Sequence, residues 1–160
     1  MSAFGLLQSL SRWGLQITDS LAFLAPLATR LVLGWEFTQT GLGKWQHFDN
    51  TVAFFTQLGI PLPAANAALV GSLELVGGIC LILGLLTRLM SAGLSSTMVV
   101  ALLTADRQDL INAWSGAGDA VPTDVVSFVF LLFLLWLIFL GPGPVSLDRW
   151  VAKRLGTAAA

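Results

Sequence analysis

The apolar residues of this sequence are gathered in four long stretches that charged residues rarely interrupt. The stretches comprise residues 21–43, 64–86, 89–105 and 125–140. A helix needs about 20 apolar residues to cross a hydrocarbon core of about 30 Å. Because the stretches come close to or exceed this length, the pattern predicts four transmembrane helices within residues 21–141. The predicted fold class is an all-α integral membrane protein built as a four-helix bundle.

The segment before the first apolar stretch has an amphipathic pattern. Four apolar residues in the segment 1–20 recur at helical spacing: Leu6, Leu10, Trp13 and Ile17. This spacing predicts an N-terminal helix that lies in the membrane interface. A cleaved signal peptide is the alternative interpretation, but the segment has neither a continuous apolar core nor a small-residue cleavage site.

The segment after the last apolar stretch is amphipathic and basic. A Gly-Pro-Gly-Pro run at residues 141–144 cannot continue the fourth helix. Beyond this run, Trp150 and Val151 stand beside Arg149 and Lys153. Residues 142–160 are therefore predicted to form a second interfacial helix within a basic cytoplasmic tail.

The composition of the chain supports lipid as its solvent. Hydrophobic residues make up 56% of the 160 residues and charged residues only 11%, whereas a soluble domain has about 25% charged residues. The formal net charge of −1 argues against a nucleic-acid partner. The single cysteine, Cys80, and the single histidine, His47, exclude an internal disulfide and a haem held by two histidines, and no metal site is predicted.

Charges in the loops predict the orientation of the bundle. Five basic residues fall on one side of four crossings: Arg12, Arg88, Arg149, Lys153 and Arg154. Lys44 and Arg107 fall on the other side. The protein is therefore predicted to be a multi-pass protein of the cell membrane. Because cytoplasmic loops carry an excess of Lys and Arg, both of its termini are predicted to lie in the cytoplasm.

Two of the loops have features of their own. Residues 44–63 are predicted to hold a short helix that begins near Asp49 and presses its apolar residues into the interface. Residues 106–124 carry four aspartates against a single arginine. They are interpreted as a solvated loop on the outer side, with cation binding as the alternative.

Three ionisable residues fall inside the predicted spans: Arg30, Glu36 and Glu74. Each costs several kcal/mol near the bilayer centre unless it is paired or hydrated. Arg30 shares a helix face with Gly34, and Glu74 shares one with Gly71 and Gly78. Since small residues let helix backbones approach closely, these faces are predicted to pack and to bury an Arg30–Glu74 ion pair.

Glu36 points about 120° away from Arg30 around the helix axis. It is either satisfied by Thr29, Thr40 or another helix, or poised as a proton or ligand site. Glu36 and Glu74 are the candidate catalytic residues, for proton transfer. The alternative for every charge in the spans is a structural role in locking the helices together.

Several motifs of the sequence, in order, resemble those of the DoxX family. They are Arg30-Leu-Val-Leu-Gly34 followed by Gly41 and Lys44, then Gly59-Ile-Pro-Leu-Pro63, Glu74-Leu-Val-Gly-Gly78 and Gly84-Leu-Leu-Thr-Arg88. The resemblance covers residues 30–105 and implies a small four-helix membrane protein of a prokaryote. The family includes relatives of the membrane subunit of thiosulfate:quinone oxidoreductase. Arg30, Lys44, Glu74 and Arg88 match the family pattern, whereas Glu36 does not.

The resemblance and the charges in the spans together suggest a quinone-linked redox module or a subunit of a membrane redox complex. Arg30 and Lys44 are the candidate ligand-binding residues, quinone is the one cofactor implied, and electrons would come from a partner protein or a small donor. The first alternative is a non-catalytic accessory subunit that scaffolds a larger assembly. The second is a small-molecule or proton carrier. The expected partners are the lipid bilayer and either other subunits or a second copy of the chain.

Overall fold

The computed structural model describes residues 21–116, 119 and 121–156, and all of its regular elements are helical. The helices are α1 (Leu24–Gln46), α2 (Phe48–Gln57), α3 (Pro63–Leu83), α4 (Thr87–Leu103), α5 (Arg107–Ser115), α6 (Val126–Leu140) and α7 (Leu147–Arg154), with a short 3-10 turn at Pro122–Asp124. The prediction of an all-α fold is confirmed for these residues. The interfacial helix predicted for residues 1–20 lies outside the described residues.

Each predicted span overlaps one of the four longer helices, namely α1, α3, α4 and α6, with differences of one to three residues at most helix ends. By length and apolar composition, α3 is the one helix among the described residues that could cross a membrane unaided. Helices α4 and α5 reach the same measure together, but they are bent by 73° relative to each other, and α6 is apolar but has 15 residues. The four-span arrangement therefore stays a prediction.

Helix ends follow the glycines and prolines of the sequence. Pro63 occupies the first turn of α3, where its missing N–H costs nothing, and Gly84 ends the helix in the left-handed conformation at φ 68°. Gly141 ends α6 at φ 78°, as the Gly-Pro run predicts. Ser146 caps α7 by accepting a hydrogen bond from the backbone N–H of Arg149.

Glycines bring α1 and α3 into close contact. A Cβ atom built on Gly34 would lie 2.7 Å from the carbonyl oxygen of Gly78, and one on Gly41 would lie 2.4 Å from the backbone nitrogen of Leu75. Since later residues of α1 meet earlier residues of α3, the helices are antiparallel. Side chains at these positions would push the backbones apart, so the glycines fix the separation and the axial offset of the pair.

The remaining long helices complete a bundle around one apolar core. Helix α4 packs mainly against α6, and α3 bridges to α4, while α2 folds back against α3. The buried core residues come from all four long helices: Leu33, Phe37, Leu81, Leu94, Met98, Leu134 and Leu137. A smaller cluster of Leu102, Ala113 and Val125 holds α5 against the ends of α4 and α6.

Candidate functional site

A cavity of about 460 Å³ lies at the end of the bundle where α2 folds over α3. Its walls come from α1, α2, α3, α4 and α6 and are largely apolar, with Phe37, Phe55, Met98 and Phe130 among the lining residues. Ligand pockets for small molecules occupy about 300–1,000 Å³ and are lined mostly by apolar side chains with a few polar groups. The cavity has the size and the lining of such a pocket.

The first polar group of the cavity is an ion pair between Lys44 and Glu74. The Nζ atom of Lys44 lies 2.5 Å from Oε2 of Glu74, and both residues line the cavity. The Glu74 side chain is 4% exposed, whereas that of Lys44 is 26% exposed. Lys44 stands in the last turn of α1, where the carbonyl end of the helix favours a cation. The pair therefore places a nearly buried carboxylate and a partly accessible ammonium group on one wall.

The predicted Arg30–Glu74 ion pair is wrong, because Arg30 has other partners at the opposite end of the bundle. Its two terminal guanidinium nitrogens donate hydrogen bonds to the carbonyl oxygens of Pro142 at 2.8 Å and Val145 at 2.7 Å. Arg30 lies beside Gly84, and Gly84 follows Glu74 by ten residues, or about 15 Å along α3. The glycine contacts set the axial offset between α1 and α3, and at this offset Arg30 lies at a different level of the bundle from Glu74.

Arg30 is consequently a structural residue of this fold rather than a lining residue of the cavity. It is 1% exposed, and its hydrogen bonds hold the segment between α6 and α7 against α1. The first turn of α7 is held in place by Asp148, whose carboxylate accepts hydrogen bonds from the backbone N–H groups of Leu86 and Thr87 at 2.7 and 2.9 Å. Asp148 thereby caps the start of α4.

Glu36, the second candidate proton carrier, is not brought to the cavity. It lies on the exposed side of α1, and its side chain has no hydrogen-bond or ion-pair partner among the described residues. The two threonines that the sequence offers as partners of Glu36 have other acceptors. Thr29 donates its hydroxyl hydrogen to the backbone carbonyl of Ala25, and Thr40 donates to that of Phe37. Glu36 therefore has a different environment from Arg30 and Glu74.

A second polar group of the cavity was missed by reasoning from sequence. The hydroxyl of Ser127, in the first turn of α6, donates a hydrogen bond to the carboxylate of Asp106, which lies at the bend between α4 and α5. Both residues line the cavity. Asp106 was assigned to a solvated loop, although its place directly after an apolar helix was a signal that it could face the bundle. The cavity therefore has two acidic groups, each with one partner.

Comparison with known proteins places the chain in a family. The DoxX family model matches residues 25–107, which include Lys44, Glu74 and Asp106. The chain is 34% identical over 136 residues to the "Uncharacterized membrane protein Rv3486" of Mycobacterium tuberculosis, with 80% of this chain and 82% of that protein covered.

Two further relatives come from other bacteria. The chain is 32% identical over 130 residues to the Bacillus subtilis protein named "Putative oxidoreductase CatD", with 81% of this chain and 89% of that protein covered. It is 30% identical over 129 residues to the "Inner membrane protein YphA" of Escherichia coli, with 77% and 87% covered. No solved structure shows a significant match to the chain. On its motifs, the family model and these relatives, the chain belongs to the DoxX family of membrane proteins.

Proposed function

We propose that this chain is a four-span protein of the cell membrane that binds a quinone in the cavity and serves as a redox module of a membrane complex. In this arrangement α1, α3, α4 and α6 cross the bilayer and both termini lie in the cytoplasm. The observation that carries the proposal is the cavity itself, which combines largely apolar walls with the Lys44–Glu74 and Ser127–Asp106 pairs. The name of the Bacillus subtilis relative, an oxidoreductase, agrees with it.

The residues present fit the chemistry of a quinone ring. A quinone needs an apolar slot for its ring, hydrogen-bond donors at its carbonyl oxygens and a group that can exchange protons. Lys44 supplies an ammonium group that is partly accessible and keeps two N–H donors beyond the one given to Glu74. Ser127, on another helix, has a single O–H group, which would turn from Asp106 to the second carbonyl oxygen when the ring binds. The cavity volume of about 460 Å³ is large enough for the ring and the first part of an isoprenoid tail.

Proton exchange falls to the two carboxylates of the cavity. Glu74 is held against Lys44, and Asp106 accepts the hydrogen of Ser127. A bound quinone would supply two-electron, two-proton redox chemistry, with the electrons coming from a partner subunit or a small donor. Glu74, beside Lys44, and Asp106, beside Ser127, would each take up a proton from the aqueous side and pass it to the nearer oxygen of the reduced quinone. Arg30 and Glu36, two of the sequence candidates, have no part in this scheme.

The test is the amount of quinone that stays with the protein after gentle purification. We expect quinone in the organic extract of the purified wild-type chain, measured by chromatography with ultraviolet absorbance and expressed per mole of protein. Ala101→Phe fills part of the cavity without removing a polar group, and Glu74→Gln keeps the shape of the polar wall. Both variants should lower the ratio of quinone to protein.

The matched control is Asp109→Asn, which neutralises an exposed carboxylate on α5 outside the cavity lining. This variant should retain the wild-type quinone ratio. A wild-type preparation without quinone, or cavity variants that retain as much as Asp109→Asn, would contradict the proposal. Thermal melts on the same preparations separate loss of ligand from loss of fold.

One observation favours a second function, that of a non-catalytic subunit. Lys44 and Glu74 satisfy each other, so the pair also suits a purely structural role in joining α1 to α3. In that case the Glu74→Gln variant would lower the stability of the protein, and subunits that co-purify with the wild-type chain would dissociate. Mass spectrometry of the co-purifying proteins and lipids distinguishes the two functions.

A further inference from the structure

One side of α1 carries polar residues where the helix faces away from the bundle. Six residues on this side follow each other in steps of four and three: Ala25, Thr29, Val32, Glu36, Gln39 and Gly43. We call this row the α1 stripe. Steps of four and three repeat every seven residues, which is the spacing at which two helices pair along a left-handed seam. All six residues are exposed or half-buried in the single chain.

Glu36 and Gln39 are out of place on a surface that faces lipid. Glu36 lies about 18 Å from the first residue of α1 and about 15 Å from the last, so it lies deep in the bilayer if α1 is a span. Neither side chain has a hydrogen-bond or ion-pair partner in the part of the chain that the structure describes. A charge or amide in the hydrocarbon core costs several kcal/mol unless another group satisfies it. Arg30 and Glu74 have such partners, and Glu36 does not.

Gly43 gives an independent indication that another helix approaches the stripe. A Cβ atom built on Gly43 would have no atom of the described residues within 4 Å, so the described part of the bundle does not require a glycine there. The other two glycines of α1, Gly34 and Gly41, are both needed for contact with α3. Small residues on an open helix face are typical of helix pairs in membranes, because they let the backbones come close.

We propose that two copies of this chain associate through the α1 stripe. The proposal rests on α1 lying in the bilayer, and it does not depend on quinone in the cavity. Two copies inserted with the same topology are related by a twofold axis along the membrane normal, so their α1 helices run parallel. Glu36 and Gln39 then occupy adjacent layers of the seam.

The seam is self-complementary in its hydrogen bonds. The Gln39 amide of one copy donates to the Glu36 carboxyl group of the other, and the twofold axis makes this contact twice. Gly43 and Ala25 lie toward the two ends of the stripe, where their small size allows the helices to converge. The second copy thus supplies what Glu36 lacks in the single chain.

Disulfide crosslinking in membranes tests the pairing. With Cys80 replaced by alanine, Val32→Cys places the sole thiol in the middle of the stripe, and Leu132→Cys places it on the exposed side of α6. Both positions are exposed in the single chain, at 61% and 51%. We expect a mild oxidant to produce a covalent dimer from Val32→Cys and little from Leu132→Cys.

Three further variants in the Val32→Cys background identify the cause of pairing. Gln39→Leu should weaken association about tenfold, because two symmetric hydrogen bonds are lost. Gly43→Leu should abolish the dimer by blocking the approach of the helices, and its monomer should fold because that position is open. Glu36→Gln should retain the dimer, because glutamine keeps the hydrogen-bonding capacity.

Two outcomes would overturn the pairing through this stripe. One is a Val32→Cys protein that stays monomeric. If its thiol then reacts with a membrane-permeant maleimide, the α1 stripe is uncovered; if the thiol does not react, another segment covers the stripe. The other is equal crosslinking at Val32→Cys and Leu132→Cys. Either result leaves the quinone measurement on the cavity variants unaffected, so failure here is distinguishable from failure of the proposed function.

Discussion

Lys44 and Glu74 depend on each other for their places in the cavity wall. Removing the ammonium group strands a carboxylate that is 4% exposed, and removing the carboxylate leaves an ammonium group against an apolar wall. Because Lys44 is 26% exposed, the cost of Lys44→Met should fall below the ~3–5 kcal/mol typical of a fully buried pair. Water can reach the pair from one side.

We expect the changes Lys44→Met and Glu74→Leu to be coupled in stability. The double variant should be more stable than the sum of the single losses predicts, by about 0.5–3 kcal/mol, because it leaves no unpaired charge. Unfolding of the single and double variants in mixed detergent micelles measures this difference. Additive losses would show that the ion pair does not form in the membrane protein.

Arg30 provides the matched control for that cycle. Its partners are backbone carbonyls at the other end of the bundle, so Arg30→Met should be destabilising by itself and additive with Glu74→Leu. Coupling between Arg30 and Glu74 would restore the ion pair that the sequence predicts and contradict the structure.

At the scale of the helices, two glycines separated by one residue have opposite roles. A Cβ atom on Gly41 would lie 2.4 Å from the backbone of Leu75, whereas one on Gly43 would meet nothing within 4 Å. We expect Gly41→Ala to separate α1 from α3 and lower the melting temperature, and Gly43→Ala to leave it unchanged or slightly raised. Thermal melts of the two variants in one detergent compare them directly. Equal losses would mean that α1 and α3 do not meet through Gly41.

The helices were predictable from the sequence, but their relative offset was not. Apolar runs separated by Gly and Pro predict α1, α3, α4 and α6 to within a few residues, and the short helix predicted near Asp49 is α2. The partner of Arg30 depends instead on how far α1 slides along α3 and on where the backbone after α6 turns back. These are tertiary features that helical spacing cannot reveal.

The candidate site was predictable to the same extent. The rarity of charges in apolar helices predicts Glu74 as a candidate residue, but helical spacing pairs it with Arg30. The family resemblance indicates Lys44 as a ligand-binding residue and does not predict its ion pair with Glu74. Asp106 was missed because an aspartate at a helix end is usually solvated, and only the 73° bend after α4 turns it toward Ser127.

At the scale of the whole molecule, the four-span arrangement predicts that the two ends of the bundle face opposite sides of the membrane. In a chain with Cys80 replaced by alanine, Ser115→Cys at the end of α5 and Lys153→Cys in α7 place single thiols at those ends. A membrane-impermeant maleimide applied to intact cells should label Ser115→Cys and should label Lys153→Cys only after lysis. Labelling of both from one side would contradict four crossings.

The hydrogen bonds of Arg30 also bear on the order in which the chain is made. Arg30 belongs to the first helix of the bundle, yet the carbonyl groups that satisfy it come from Pro142 and Val145. During synthesis, α1 therefore leaves the ribosome more than a hundred residues before its guanidinium group can be satisfied. A nascent chain cut short after α6 would lack both carbonyl groups and would hold an unsatisfied arginine, so the first helix reaches its final state only when the last part of the chain has been made.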